Sequence, residues 1–350
     1  MRDAIRRGHT NCLNDGTSRL LVQTRNNSGN RQPVERTLMT PRPSAALTSL
    51  LVLAAGSAAV VAQRAGGAPA VPPLVRENAT EKIADHVYVI PDNSVSMVPN
   101  VGIIVGSRGT LVVDTGLGAR NGQTVVREMQ KVSKTPDLYL ATTHFHPEHD
   151  LGAGGFPANT RMIRSQDQQK EIAEQGLATA ERFKGFGALN AELLEGAEFR
   201  TADISFDREH TLELGGVRVR LIAMGYNHTR GDTAFFVEPD RILFSGDVVM
   251  TALPNVGSAT VRQWLTSMDV FEKLRPRRIV PSHGPIGDAA LIAVYKDLLG
   301  SVQRRTNELK RQGKTLDETT AAIGAELQPK YPAAGTRLNS AVRAAYSEAP

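Results

Sequence analysis

Two features of this 350-residue chain predict a layered α+β fold. From about residue 80 onward, short apolar runs rich in Val and Ile alternate with segments of helical period. The chemically distinctive residues also fall just after those apolar runs, where loops converge on rigid strands. The densest such place is His144-Phe145-His146-Pro147-Glu148-His149-Asp150, with three histidines and two carboxylates in seven residues. Stability alone gives no reason for that density of imidazole.

The first 62 residues hold eight arginines against three acids and the only cysteine, Cys12. Residues 1–38 are polar and lack a hydrophobic period, so they are expected to be disordered and to lie upstream of the true start at Met39. Arg42, the apolar run Ala45–Val61 and Val60-Val61-Ala62 have the layout of a secretory signal peptide over residues 39–62. This predicts a periplasmic or secreted protein without stable membrane association after cleavage. Residues 63–79, rich in Ala, Gly and Pro, read as a linker.

The folded part is expected over residues 80–290. Val87–Ile90, Val101–Val105 and Thr110–Val113 read as strands, the last ending at Asp114-Thr115-Gly116. A helix is expected around Asn121–Val132. Leu138–Thr143 is a further strand delivering His144. Residues 166–196 look helical, with Gly185 and Gly187 as breaks. Val217–Ala223 leads to Tyr226, Asn227 and His228, Arg241–Ser245 to Asp247, and Arg278–Val280 to His283. Met250–Gln263 reads as a loop beside Asp247 and Trp264 as a core anchor. Asp150 is expected to cap a following helix and Asp232 to support His228, while Tyr226 is expected in packing or at the cleft.

Residues 291–350 form a helical extension. Leu291, Val294, Tyr295, Leu298, Leu299 and Val302 recur at helical spacing over 288–312. A second helix, Leu316–Leu327, follows with Thr315 as its cap, and the stretch from Pro329 is expected to be irregular.

Five of the eight histidines lie at strand ends, and His9, His86 and His210 do not. Neutral imidazole and carboxylate suit borderline divalent ions such as zinc, with iron or manganese as other occupants. His144 and His146, two apart on extended backbone, point the same way. Outside the leader the chain has 33 basic and 33 acidic residues, so there is no charge excess to attract nucleic acid. A small-molecule substrate is expected, with the oligomeric state left open.

On these residues the chain resembles the metallo-β-lactamase-fold superfamily of metal-dependent hydrolases. The matching blocks are Asp114 in Val-Val-Asp-Thr-Gly, His144-x-His146-x-Glu148-His149, His228 in Asn-His-Thr-Arg-Gly-Asp, Asp247 in Ser-Gly-Asp, and His283 in Ser-His-Gly. The resemblance implies a four-layer αββα sandwich with a binuclear site at one edge. It implies that His144, His146 and His228 bind a first zinc, that Glu148, His149 and His283 bind a second, and that Asp247 bridges them. Asp114 would orient a ligand histidine, alongside Asp247 and Glu148 as catalytic candidates. The usual residue before the last histidine of the block is aspartate. Here it is Glu148, whose extra methylene changes the ligand's reach.

The function this implies is zinc-dependent hydrolysis of an ester, amide or lactam-type bond (β-lactam, lactone or thioester) by a metal-bound hydroxide. The rivals are an iron-dependent oxidoreductase resembling a persulfide dioxygenase, and a metal-binding accessory protein without turnover.

Overall fold

The computed structural model describes residues 71–256 and 259–348. The expectations for residues 1–38 and 39–62, and for the linker up to residue 70, lie outside the described residues. The rest of the expected linker is fastened down. Asn121 Oδ1 accepts from Val75 N at 2.8 Å and its Nδ2 donates to Pro73 O at 2.9 Å, so this segment packs on the first helix.

The chain begins with β1 (Glu81–Lys82), β2 (Val87–Ile90), β3 (Val101–Val105) and β4 (Gly109–Val113), then α1 (Gly118–Val132) and β5 (Asp137–Ala141). The ligand block opens α2 (Pro147–Asp150), and a 3-10 turn, Leu151–Gly155, leads to β6 (Arg161–Ser165). The helical stretch then divides into α3 (Gln166–Glu171), a π-helical segment at Ile172–Gly176, α4 (Leu177–Lys184) and α5 (Ala188–Leu193). Six strands and a helix follow: β7 (Ile204–Phe206), β8 (Glu209–Glu213), β9 (Arg218–Gly225), β10 (Asp232–Val237), β11 (Ile242–Gly246), α6 (Val261–Leu274) and β12 (Arg278–Pro281). The chain closes with α7 (Ala289–Arg311), α8 (Leu316–Leu327), a 3-10 segment at Pro332–Arg337 and α9 (Leu338–Ser347).

The strands form two sheets. One has seven strands in the order β1-β2-β3-β4-β5-β6-β7, and the other five in the order β12-β11-β10-β9-β8. Val89, Ile104, Leu111 and Val113 of the first sheet pack between the sheets against Leu221, Phe235, Val237 and Phe244 of the second. The opposite faces are also apolar. Val112, Leu140 and Met162 meet Val125 and Met129 of α1, while Ile222, Ala234 and Leu243 meet α6, α7, α8 and α9. Sheets buried on both faces explain why the strands read as continuous apolar runs. The result is the expected α/β/β/α layering. Gly102 is required for the close approach of the sheets, since a Cβ there would overlap the Phe244 ring.

The structure corrects three local expectations. The stretch from Pro329 is not irregular. Leu338, Ala341, Val342 and Ala345 bury one face of α9 in the core shared with α6 and α7. Met250–Gln263 is a loop only as far as Thr260, whose side chain accepts from Gln263 N to start α6. Asp150 caps nothing with its carboxylate. It is fully buried in a two-pronged ion pair with Arg164 (2.6 and 3.0 Å) and accepts from Thr142 Oγ1 at 2.8 Å. The helix ends before Gly185 as expected, and the helical stretch ahead of it contains a π segment at Ile172–Gly176. Trp264 is a core anchor, fully buried with Nε1 donating to Val248 O at 2.7 Å. Thr315 and Glu318 form a reciprocal cap on α8. His86 meets Asp240 at 2.9 Å and His210 lies on Phe206, both away from the strand-end histidines.

Candidate metal centre

Strand ends supply the site because parallel pairing aligns them. β5 pairs in parallel with β4 and β11 with β12, so His144 emerges near Asp114 and His283 near Asp247. Asp114 adopts φ 66°, a left-handed conformation uncommon outside glycine, which turns its carboxylate back across the end of β5. There it accepts from Thr143 N (2.7 Å), Thr143 Oγ1 (3.0 Å) and Ser282 Oγ (3.2 Å), and lies 2.9 Å from His149 Nδ1.

The ring nitrogens and carboxylate oxygens converge in three overlapping groups, each within 4.8 Å: His144, His146 and His228; His144, His149 and Asp247; and Glu148, His149 and His283. His146 Nδ1 is 3.1 Å from His144 Nε2 and 3.2 Å from His228 Nε2. Asp247 lies between the outer groups, with Oδ2 3.5 Å from His228 Nε2 and Oδ1 4.0 Å from His283 Nε2. All seven residues that the resemblance implies as ligands are thus brought together.

Backbone acceptors set the orientation of two rings. His228 Nδ1 donates to Asn255 O and His283 Nδ1 to Val98 O, each at 3.0 Å. A carbonyl can only accept, so Nδ1 carries the proton and Nε2 faces the site. The loop that presents Asn255 is itself pinned, by Trp264 on Val248 O and by Tyr295 Oη on Ala252 O at 3.0 Å. His228 N donates to Asp232 Oδ2 at 2.7 Å, which holds the turn that carries the ring. Asp114 does not line the cavity, so it positions His149 rather than meeting a substrate.

The electrostatics suit cation binding. Burial, reinforced by the fields of His149, His146, His228 and His283, holds His144 well below the usual imidazole range, leaving it a neutral donor. Burial pushes Asp247 upward, but His283, His228, His149 and Arg337 outweigh it and keep the carboxylate ionised. Burial raises Glu148. This glutamate is no exposed helix-start acid. It is only 8% exposed, and its Oε2 has no hydrogen-bond partner among the described residues, nor do His149 Nε2 and Asp247 Oδ1. Unpartnered buried polar atoms are costly. Three of them in one place, all nitrogen or carboxylate oxygen, fit a divalent cation.

The groups open into a cavity of about 1350 Å³. One wall is apolar, including Met97, Phe145, Phe183, Phe186 and Leu253, and Tyr226 is also at its surface. No sequence signal pointed to Ala333–Arg337 of the C-terminal extension or Arg182 of α4 as residues that reach this cavity. Thr143 and Ser282 were signalled only by standing immediately before ligand histidines. The carbonyls of Val98 and Asn255 leave no sequence signal.

Comparison with known proteins places this geometry. The profile of the metallo-beta-lactamase superfamily matches residues 97–283. The linear primary-alkylsulfatase of Pseudomonas sp. is 22% identical over 259 residues, covering 63% of this chain and 49% of its own length. The type 2 metallo-beta-lactamase of Bacillus cereus is 25% identical over 209 residues, 58% of this chain and 73% of that protein. Among solved structures, the stereoselective inverting sec-alkylsulfatase from Pseudomonas sp. aligns with a TM-score of 0.63 at 16% identity, covering 77% of this chain and 49% of that one, a likeness of fold. The chain spans about half the length of these two alkylsulfatases.

Proposed function

The chain belongs to the metallo-beta-lactamase superfamily, and we propose that it is a metal-dependent hydrolase of small molecules whose seven converging residues hold two divalent ions. His144, His146 and His228 would hold one ion and Glu148, His149 and His283 the other, with Asp247 placed between the two groups. The observation that carries this reading is the set of unpartnered buried atoms, Glu148 Oε2, His149 Nε2 and Asp247 Oδ1. Ions there, zinc by the habit of the family, supply Lewis acidity and an ionised water at neutral pH.

The protein's own groups do the rest. Asn255 O and Val98 O keep the Nδ1 protons of His228 and His283 in place, so both Nε2 lone pairs stay directed at the site. Asp114 does the same for His149. Phe145, Phe183 and Leu253 exclude water from one side of the cavity and bind an apolar substrate body. The substrate bond is of the ester, thioester, lactone or lactam kind, and the leader pattern supports action in the periplasm or outside the cell.

Metal analysis of the purified chain, joined to a hydrolysis panel of sulfate esters, thioesters, lactones and β-lactams, tests this. Two ions per chain are expected, falling to one in Glu148→Ala, with turnover lost on chelation and restored by zinc. Turnover indifferent to chelation, or two ions retained in Glu148→Ala, would reject the assignment.

A further inference from the structure

Two arginines line the cavity without an ion pair to the metal-centre residues. Arg182 projects from α4, next to Phe183, whose ring centroid is 5.8 Å from that of His146. Arg337 ends the 3-10 segment that leads into α9. Among the described residues neither guanidinium has a hydrogen bond or ion pair.

The nearby acids are already occupied. Glu181, beside Arg182, pairs with Lys184 at 2.7 Å, and Glu174 pairs with Arg230. Two other carboxylates at the cavity face inward to the backbone. Asp92 accepts from Gly284 N at 2.7 Å, and Glu171 accepts from Arg230 N and Gly231 N at 3.1 and 2.9 Å. Glu148 and Asp247 belong to the proposed ion sites. Arg337 stands within the field of Asp247, but both arginines line the cavity with no carboxylate bonded to either guanidinium among the described residues.

We propose that Arg182 and Arg337 recognise an oxyanion on the substrate, a carboxylate or sulfate group attached to the apolar body that the Phe145, Phe183 and Leu253 wall accommodates. This rests on the hydrolase reading for its location, but the contact itself needs no ion. A planar guanidinium with paired donors matches such a group, and two of them from separate segments fix its position relative to the ions. The C-terminal extension thereby contributes a specificity residue to a site whose ligands lie between residues 144 and 283. The substrate is then an amphiphilic anion and not a neutral ester.

Titration calorimetry on the full chain, as purified and again after chelation, reads the contact directly. The probes are 4-phenylbutyrate, 3-phenylpropyl sulfate and neutral 4-phenylbutyramide. The wild type should bind at least one anion more tightly than the amide, and the arm that does so identifies carboxylate or sulfate. Arg182→Gln and Arg337→Gln should each reduce that preference about fivefold, and the double variant should abolish it. Arg337→Lys should recover part of it, and amide binding should stay unchanged throughout as the control for folding. Equal binding of all three probes by the wild type, or an undiminished preference in the double variant, would overturn the proposal. Because the preference is also read after chelation, loss of the metal reading and loss of this one are distinct results.

Discussion

His144 and His149 lie with ring centroids 4.1 Å apart, yet they titrate in opposite directions because of what surrounds each. Burial and four neighbouring histidines lower His144. Burial also opposes a charge on His149, but Asp114, with Glu148 and Asp247 behind it, outweighs that and carries the ring up to about 9. At pH 7 the metal-free His149 holds both protons, so an ion taking Nε2 must expel one. Affinity at that group should therefore rise about tenfold per pH unit and level off near pH 9. Competition with a chromophoric zinc chelator between about pH 6.5 and 10 measures the slope. A flat profile would remove Nε2 from the ligand set. The same shift bears on folding. A folded-state value above the ordinary 6.5 adds stability to the metal-free chain that is complete below pH 6.5 and lost as pH rises through about 9. The urea midpoint of metal-free protein should fall across that window, and Asp114→Asn should flatten the fall. At this scale the ligand types were legible, since seven side chains with metal-binding chemistry follow apolar runs. Asp114 and Asp232 were expected beside ligand histidines, but Val98 and Asn255 were not, because they act through carbonyls that every residue possesses.

Elements hold the ligand block by close approach more than by specific bonds. α1 lies against the 3-10 turn Leu151–Gly155, and a Cβ on Gly122 would overlap the carbonyl of Gly152. Gly122→Ala should therefore lever α1 off the turn that follows His149. A loss of about 1–3 kcal/mol in denaturant unfolding is expected, with weakened uptake of one ion. Unchanged stability and stoichiometry would show that the contact is slack. The Asp150–Arg164 pair fastens α2 to β6 from the other side. Asp150→Ala leaves a buried guanidinium without its counter-charge and should cost about 3–5 kcal/mol, far more than any exposed pair. Chemical denaturation with metal analysis separates this fold effect from ligand loss. Strands β2 to β5 and helices α7 and α8 were readable because their apolar periods are regular. α9 was not, because much of its buried face is Ala341 and Ala345, and Pro332 and Gly335 stand just before it as breakers. The Asp150 carboxylate was misjudged for a related reason, as its partner Arg164 sits within a strand, where a buried arginine is unusual.

In the whole molecule, the C-terminal extension joins the core and the site. The outer face of the five-stranded sheet is covered jointly by α6, α7, α8 and α9, with Leu338, Val342, Trp264, Leu299 and Val302 in one apolar cluster. Ser340 Oγ accepts from Val256 N at 3.2 Å and Glu348 from Val261 N, tying α9 to the loop and helix that follow Asp247. Ala333–Arg337 then line the cavity itself. A tail that merely decorated the sandwich could be removed with little effect. Here a chain ending at Lys330 would lose the burial of Ala334, Leu338, Ala341, Val342 and Ala345 and uncover their partners. At roughly 25 cal/mol per Å² that loss is several kcal/mol, comparable to the net stability of an ordinary domain. The truncated chain should be insoluble, or soluble with a sharply lowered melting temperature and strong binding of a hydrophobic dye. Saturating zinc should recover only part of the stability, since ion binding contributes by mass action and does not replace buried apolar surface. A soluble truncated chain that melts with the full-length protein would show instead that α9 is dispensable to the sandwich. In that event only the loss of anion preference expected from removing Arg337 would remain to tie the extension to function.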